Sequence, residues 1–145
     1  MAQSNPWRRK ITKGVPFMQK QILVIDDEES IRFTFKYLLG DHGYQVETAS
    51  SSEEARELFT SRSFDLIFLD LLLGLHSGLT LLKEIREHLP HTPVVMVTGA
   101  PDEQTISEAI RSGAFAYIPK PVRQDTLLTM AEKALAYRSK LTEAQ

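Results

Sequence analysis

Three carboxylates in this chain stand at the ends of apolar runs. Asp26 and Asp27 follow the run "QILVI", and Asp70 ends the run "DLIFLD". The hydroxyl of Thr98 ends "PVVMVT", and the ammonium of Lys120 follows "AYIP". Carboxylates held within several ångströms of one another repel by about 1 kcal/mol per pair in water, and by roughly four times that at a partly buried site. If these residues meet, their cluster needs a cation.

Phosphoryl transfer is the chemistry that these residue types can perform together. No histidine or cysteine accompanies the acids, so their hard oxygens suit Mg²⁺ or a similar ion, which leaves positions open for water and phosphate oxygens. A carboxylate beside such an ion can attack a phosphoryl group, while the ion, an ammonium and a hydroxyl hold its equatorial oxygens. Asp70 is the candidate nucleophile.

Each of these residues also has a plain structural explanation. The acid-rich stretch "DDEES" suits the start of a helix, where carboxylates are favoured by the helix dipole and by free N–H groups. Thr98 alone is compatible with an ordinary strand residue, and Lys120 alone with a solvated loop cation. Their combination at the ends of separate apolar runs is what favours a reactive site.

Five apolar runs alternate with five segments of helical period and must position these residues. The runs predicted as strands span residues 21–25, 44–49, 65–70, 93–98 and 116–118. Between them, apolar residues recur on one helical stripe, as Ile106, Ala109 and Ile110 do in the fourth segment. The first, third and fourth runs are continuously apolar, which is typical of parallel strands covered on both faces. We predict an α/β fold with a doubly wound, five-stranded parallel sheet, in which ligands bind beyond the carboxyl ends of the strands.

The composition argues against several other classes of protein. The 145 residues carry a net charge of −2, which disfavours direct nucleic-acid binding, and no cysteine, which excludes disulfides and thiolate metal sites. No apolar run approaches the roughly 20 residues that span a bilayer, and the amino terminus lacks the apolar centre of a signal peptide. We therefore predict a cytoplasmic protein without a membrane partner.

Three regions are predicted along the chain. Residues 1–17 carry four basic residues, no acid and no periodicity, so we interpret them as a leader or an added extension without order. Residues 18–140 form the one domain. Residues 141–145 are a tail or the start of a linker.

Four stretches, taken in order, give the chain a family resemblance. They are "LVIDDEES", "DLIFLD", "VVMVTGA" and "GAFAYIPKP", and they extend over nearly all of residues 20–137. This pattern resembles the receiver domain of two-component response regulators, of the chemotaxis-regulator type. The resemblance implies a flavodoxin-like (βα)5 fold with strand order 2-1-3-4-5. It also implies phosphorelay signalling, in which Asp70 accepts a phosphoryl group from a phosphohistidine of a sensor kinase or phosphotransfer protein.

The resemblance assigns roles to particular residues. It implies that Mg²⁺ or Mn²⁺ is held by the side chains of Asp26, Asp27 and Asp70 and by the backbone carbonyl of Leu72. Thr98 and Lys120 would contact the phosphoryl oxygens, and the bond between Lys120 and Pro121 would be cis. Thr98 and Tyr117 would form the switch that responds to phosphorylation.

The resemblance also implies the kind of activity and the partners. The protein would be a phosphoacceptor switch that assists its own phosphorylation and dephosphorylation, not an enzyme acting on other substrates. Its response would change a face made of the fourth helix, fifth strand and fifth helix, which contacts an output domain, a partner or a second copy in a homodimer. We favour the receiver part of a larger regulator, with a stand-alone regulator as the alternative.

Some positions depart from the usual pattern of receivers. Where a proline commonly stands four residues after the phosphoacceptor and an acid precedes the glycine, this chain has Gly74 and Ser77. Because glycine lowers loop rigidity, we predict a mobile loop. Val122 replaces a common aromatic, so the packing near the switch is expected to differ.

Small and apolar residues near the predicted site bear on the lifetime of a phosphoryl group. Gly99 leaves space for a phosphodonor to approach. Leu72 and Ala100 stand where some receivers carry polar side chains that guide an attacking water. We therefore predict slow self-dephosphorylation.

Three alternatives come from other classes of protein. A phosphatase of the haloacid dehalogenase type also uses an acid at a strand end, but it needs a second acid where this chain has Leu72. A flavodoxin-like electron carrier needs a hydroxyl-rich phosphate loop in place of "DDEES". A receiver-like module that binds partners without phosphorylation would lack one of the key residues, and all of them are present.

Overall fold

The computed structural model describes residues 19–74, 76–99 and 102–143. The five main strands are β1 (Gln21–Ile25), β2 (Gln45–Ala49), β3 (Leu66–Asp70), β4 (Val94–Thr98) and β5 (Ala116–Pro119). The five helices are α1 (Glu29–Asp41), α2 (Ser52–Ser61), α3 (Gly78–His88), α4 (Glu103–Arg111) and α5 (Gln124–Glu143). The predicted leader and Ala100 lie outside the described residues, and the division at residues 17, 18 and 140 stays a prediction.

The five main strands form one parallel sheet in the order β2-β1-β3-β4-β5. This confirms the predicted fold class and strand order. Because β1 lies between β2 and β3, the order reverses there, and the register pairs Ile25 with Leu69. Asp26, which follows β1, and Asp70, the last residue of β3, therefore lie side by side at this end of the sheet.

A small antiparallel hairpin in the loop between β3 and α3 was not predicted. It pairs Leu72–Leu73 with His76–Ser77. Two-residue strands are too short to show a periodicity in sequence, so only the folded loop reveals them. The hairpin turns the chain back toward the end of β3.

The sheet is covered on both faces, as the continuous apolar runs of β1, β3 and β4 indicated. One buried cluster joins the sheet to α2, α3 and α4, and the other joins it to α1 and α5. In the second cluster the rings of Phe35 and Phe68 meet edge to face with centroids 5.5 Å apart. No helix in the described ranges combines the length and the apolar character needed to cross a membrane.

The packing of α4 differs from its predicted apolar stripe. Ala109 is buried, but Ile110 is 45% exposed. Adjacent residues of a helix point about 100° apart, so Ile110 faces away from the buried cluster that contains Ala109. Tyr117 on β5 and Tyr137 on α5 are also exposed. We call these three residues, Ile110, Tyr117 and Tyr137, the α4–β5–α5 face.

Helix α3 begins in close contact with the end of β3. Ser77 caps the helix by accepting a hydrogen bond from the N–H of Leu79, and the N–H of Gly78 donates to the carbonyl of Leu71 over 2.6 Å. A Cβ atom on Gly78 would collide with the backbone carbonyl oxygen of Asp70. Glycine is therefore required at position 78 for steric reasons.

We expect Gly78→Ala to lower the free energy of unfolding by about 1–3 kcal/mol, because the added methyl group must displace backbone. Gly40 supplies a matched control, since it lies in α1 and a Cβ there meets nothing within 4 Å. Gly40→Ala is expected to stabilise the protein by about 0.5–1 kcal/mol through its helix propensity. Urea unfolding measures both values, and equal effects of the two substitutions would contradict this account of Gly78.

Candidate functional site

The structure gathers the three predicted acids at the carboxyl end of the sheet. Asp26 follows β1 and Asp70 ends β3, and both are buried, whereas Asp27 is exposed. One carboxylate oxygen from each lies within 4.8 Å of the others. Thr98, also buried, ends the neighbouring strand β4. The sheet register brings Asp26, Asp70 and Thr98 to one edge. Asp27 joins them from the loop that follows β1.

Lys120 enters the same cluster from the residue after β5. Its Nζ lies 3.1 Å from Oδ2 of Asp26 and 3.5 Å from Oδ2 of Asp70. Its backbone N–H donates to the carbonyl of Thr98 over 2.7 Å, and the bond to Pro121 is cis, as expected. Gly99 lies beside the aliphatic stem of Lys120. The ammonium therefore faces the acids from the side of β5.

Burial and mutual repulsion change the protonation of these groups. Burial, with added repulsion from Asp26 and Asp27, raises the pKa of Asp70 to about 6, although a backbone N–H and Lys120 oppose the change. Burial also raises the pKa of Asp26. Burial by itself would lower the pKa of Lys120, but its hydrogen bonds to Glu28 and Asp26 outweigh this and raise it. The ammonium thus stays charged and only partly neutralises the acids.

Each carboxylate of the cluster accepts a backbone N–H. Glu28 donates to Oδ1 of Asp26 over 2.8 Å, and Leu72 donates to Oδ1 of Asp70 over 3.2 Å. The N–H of Gly74 donates to Oδ2 of Asp27 over 3.0 Å. These bonds orient the three carboxylates while leaving other oxygen lone pairs available.

The donor set fits a hard divalent cation. Three carboxylates converge within 4.8 Å, their oxygens are the ligands that such ions prefer, and a single ammonium leaves excess negative charge among them. Burial is the main cause of the raised pKa of Asp70, and repulsion from Asp26 and Asp27 adds to it, so a cation bound among these carboxylates would lower that pKa. The cluster is therefore a candidate metal centre.

Gly74 has a defined role that the sequence pattern did not indicate. Its φ is +61°, a conformation that residues other than glycine rarely adopt, and its N–H bonds Asp27. Proline could satisfy neither requirement, because its φ is fixed near −65° and it has no N–H. The glycine thus lacks the rigid ring of the usual proline but gains a hydrogen bond to Asp27. The mobility of this loop stays a prediction.

Glu28 also belongs to the site, although the sequence pattern predicted only that it lies at the start of a helix. Its Oε1 lies 2.6 Å from Nζ of Lys120, and its side chain makes no capping hydrogen bond to α1. Its residue type was the one available signal in the sequence. Glutamate is not among the residues preferred at an N-cap, so capping alone does not explain its presence there.

The remaining predicted residues lie near the cluster. Tyr117 is on β5 and is 40% exposed, and Val122 packs against the buried cluster shared with α1 and α5. The side chain of Leu72 is 58% exposed in the small hairpin, two residues after Asp70. Their predicted roles in switching, packing and shielding remain predictions.

This fold and this acid cluster define a receiver-type protein. The model of the response regulator receiver domain family matches residues 22–132, and the chain belongs to that family. It shares 43% identity over 120 residues with the alginate biosynthesis transcriptional regulatory protein AlgB of Pseudomonas aeruginosa, covering 83% of this chain and 27% of AlgB. The chain thus spans about a quarter of the length of such curated relatives.

Two solved structures illustrate the similarity. A CheY-like receiver domain protein of Methanospirillum hungatei matches with a TM-score of 0.82 and 31% identity, covering 84% of this chain and 98% of that one. A response regulator of Burkholderia pseudomallei, with a phosphorylated aspartic acid, calcium and citrate, matches with a TM-score of 0.73 and 32% identity. That match covers 81% of this chain and 75% of the other. Receiver domains are phosphoacceptor switches of phosphorelay signal transduction, so family membership disfavours the phosphatase and electron-carrier alternatives.

The raised pKa of Asp70 predicts how stability depends on pH. In metal-free protein the native state binds the proton of Asp70 more tightly than the unfolded state, because burial raises the pKa from 3.8 to about 6. The resulting stabilisation is fully present below about pH 4 and is lost as the pH rises through about 6. We expect wild type to lose up to about 3 kcal/mol relative to Asp70→Asn between these values.

Urea unfolding at several pH values in EDTA measures this difference. Asp125→Asn is the control, because Asp125 is exposed and Arg123 lowers its pKa, so this substitution should not reproduce the trend. Parallel stability curves for wild type and Asp70→Asn would contradict the predicted burial effect.

Proposed function

We propose that Asp70 is the phosphoacceptor of this receiver and takes a phosphoryl group from a phosphohistidine of a sensor histidine kinase or phosphotransfer protein. The observation that carries the proposal is the position of its carboxylate. It is buried at the end of β3, shares a 4.8 Å cluster with Asp26 and Asp27, and faces the ammonium of Lys120. The Burkholderia relative, which carries a phosphorylated aspartic acid, supports the assignment.

Asp26, Asp27 and Asp70, with the backbone carbonyl of Leu72, would hold Mg²⁺ or Mn²⁺. When bound, such an ion neutralises the carboxylates and stabilises negative charge on the phosphoryl oxygens. The convergence of hard oxygen ligands supports this assignment. The three backbone N–H bonds hold the carboxylates in orientations that face the shared site.

Asp70 performs the transfer as a nucleophile. One oxygen of its carboxylate forms a bond to phosphorus while the bond between phosphorus and the donor's imidazole nitrogen breaks, and the electron pair leaves with the nitrogen. Lys120 and Thr98 hold the phosphoryl oxygens from the ends of β5 and β4. Water later cleaves the acyl phosphate at the same site, so the domain assists both reactions of its own switch without an external substrate.

Phosphorylation adds nearly two negative charges at Asp70 and provides the signal. Thr98 moves toward the new oxygens, Tyr117 changes orientation, and the α4–β5–α5 face changes what it binds. The exposure of Ile110, Tyr117 and Tyr137 supports a protein-binding role for this face. Its occupant is an output domain, a partner protein or a second copy of the chain. The receiver domain itself acts in the cytoplasm and does not bind nucleic acid directly.

We also favour a receiver that belongs to a larger regulator over a stand-alone one. In AlgB the matched region is 27% of the protein, so most of that relative lies outside the receiver. The switch would then control an output region of the same protein through the α4–β5–α5 face.

We expect a small phosphodonor, acetyl phosphate, to form a phosphoryl adduct on wild type in the presence of Mg²⁺. Mass spectrometry measures the added mass, which Asp70→Ala should not acquire because it lacks the nucleophile. EDTA should suppress the adduct. Asp125→Asn is the matched control, since this exposed acid lies on α5. An adduct that persists in Asp70→Ala would refute the assignment.

We expect Leu72→Asn to shorten the life of the acyl phosphate severalfold. The side chain of Leu72 is exposed, and an amide in its place can orient an attacking water toward phosphorus. A single new hydrogen bond of this kind should raise the rate of dephosphorylation by about 10-fold or less. Decay of the adduct after removal of the donor gives the rate. Leu72→Met preserves an apolar side chain and should decay like wild type. An unchanged rate in Leu72→Asn would remove the hypothesis of slow self-dephosphorylation through this residue.

A further inference from the structure

Lys120 makes its shortest ionic contact with an acid that lies outside the candidate metal centre. Its Nζ is 2.6 Å from Oε1 of Glu28, compared with 3.1 Å to Asp26 and 3.5 Å to Asp70. Among the described residues, the carboxylates that converge on a possible ion are those of Asp26, Asp27 and Asp70. Glu28 therefore faces the ammonium from outside that group of ligands.

The side chain and the backbone of Glu28 make different contacts, so the side chain can be changed without removing the backbone hydrogen bonds. The backbone N–H bonds Asp26, and the carbonyl accepts the N–H of Arg32 in the first turn of α1. The side chain is 56% exposed and makes no capping hydrogen bond. A change confined to the carboxylate, such as Glu28→Gln, leaves these backbone contacts in place.

Glu28 and a phosphoryl group on Asp70 would compete for the same ammonium. Lys120 has three N–H donors, and its Nζ now faces three carboxylates. Oε1 of Glu28 and Oδ2 of Asp70 both contact Nζ of Lys120, at 2.6 Å and 3.5 Å, so the two oxygens are no more than about 6 Å apart. An incoming phosphoryl group thus meets a like charge at short range, and an ammonium whose shortest contact is with Glu28 and not with Asp70.

We propose that Glu28 is a positioning residue that holds the ammonium of Lys120 away from Asp70 and thereby slows phosphoryl acceptance. This inference rests on the proposed function. It acts on the step in which the bond from Asp70 oxygen to phosphorus forms as the donor's bond to phosphorus breaks. With acetyl phosphate, the electron pair of the broken bond leaves on acetate.

The test compares neighbouring acids that differ in their contact with Lys120. Glu29 is the next residue, is exposed in the first turn of α1, and permits the same change of charge in Glu29→Gln. With acetyl phosphate and Mg²⁺, Glu28→Gln should raise the initial rate of adduct formation about 3- to 10-fold over wild type. Glu29→Gln should change the rate less than about twofold, because exposed charges at longer range are screened.

Two further measurements separate positioning from a general structural effect. In metal-free protein, the ¹⁵N-edited ammonium resonance of Lys120 should shift in Glu28→Gln and stay in place in Glu29→Gln. Glu28→Asp retains the charge on a shorter side chain that cannot reach the ammonium equally well, so its rate should lie between those of wild type and Glu28→Gln.

The outcomes distinguish this inference from the proposal on which it rests. If wild type forms no adduct, both are overturned. If wild type is phosphorylated but Glu28→Gln reacts no faster than Glu29→Gln, only the role of Glu28 is overturned. A slower Glu28→Gln would equally overturn it, because Glu28 would then assist the transfer.

Discussion

The repulsion among three carboxylates at the ends of neighbouring strands is the constraint on which the rest of this site depends. Asp26 and Asp70 are buried, so their charges cannot be left to solvent. The parallel register of β1 and β3 makes their proximity unavoidable. The ammonium of Lys120, at the end of β5, neutralises part of this negative charge. The carboxylate oxygens are suited to bind a cation that would neutralise the remainder.

Backbone geometry supplies a second layer of control over the same charges. The chain turns after β1 and after β3 so that one N–H reaches each carboxylate. Such bonds to ionised groups are stronger than neutral ones and fix orientation. The two loops are thereby shaped by the acids that they carry, and Gly74 is the residue whose conformation makes this possible on the side of Asp27.

The parts of the structure that could be predicted from sequence are those set by long, repeated patterns. Five apolar runs that alternate with helical segments predicted a parallel sheet, which the structure contains. The same runs predicted that Asp26, Asp70, Thr98 and Lys120 lie at one edge of that sheet. What could not be predicted depends on single contacts. The ion pair of Glu28 and the exposure of Ile110 follow from side-chain directions at a few positions. No periodicity encodes those directions. The small hairpin follows from backbone pairing over only two residues on each side.

The close contact at Gly78 has a mechanical consequence for the whole domain. With no side chain between the first turn of α3 and the carbonyl of Asp70, the strand end and the helix have no free volume between them. A shift of the backbone at Asp70 must therefore be shared by the first turn of α3, because no side chain between them can take up the displacement. The hydrogen bond from the N–H of Gly78 to the carbonyl of Leu71 holds the same joint, so the end of β3 and the start of α3 form one unit within the domain.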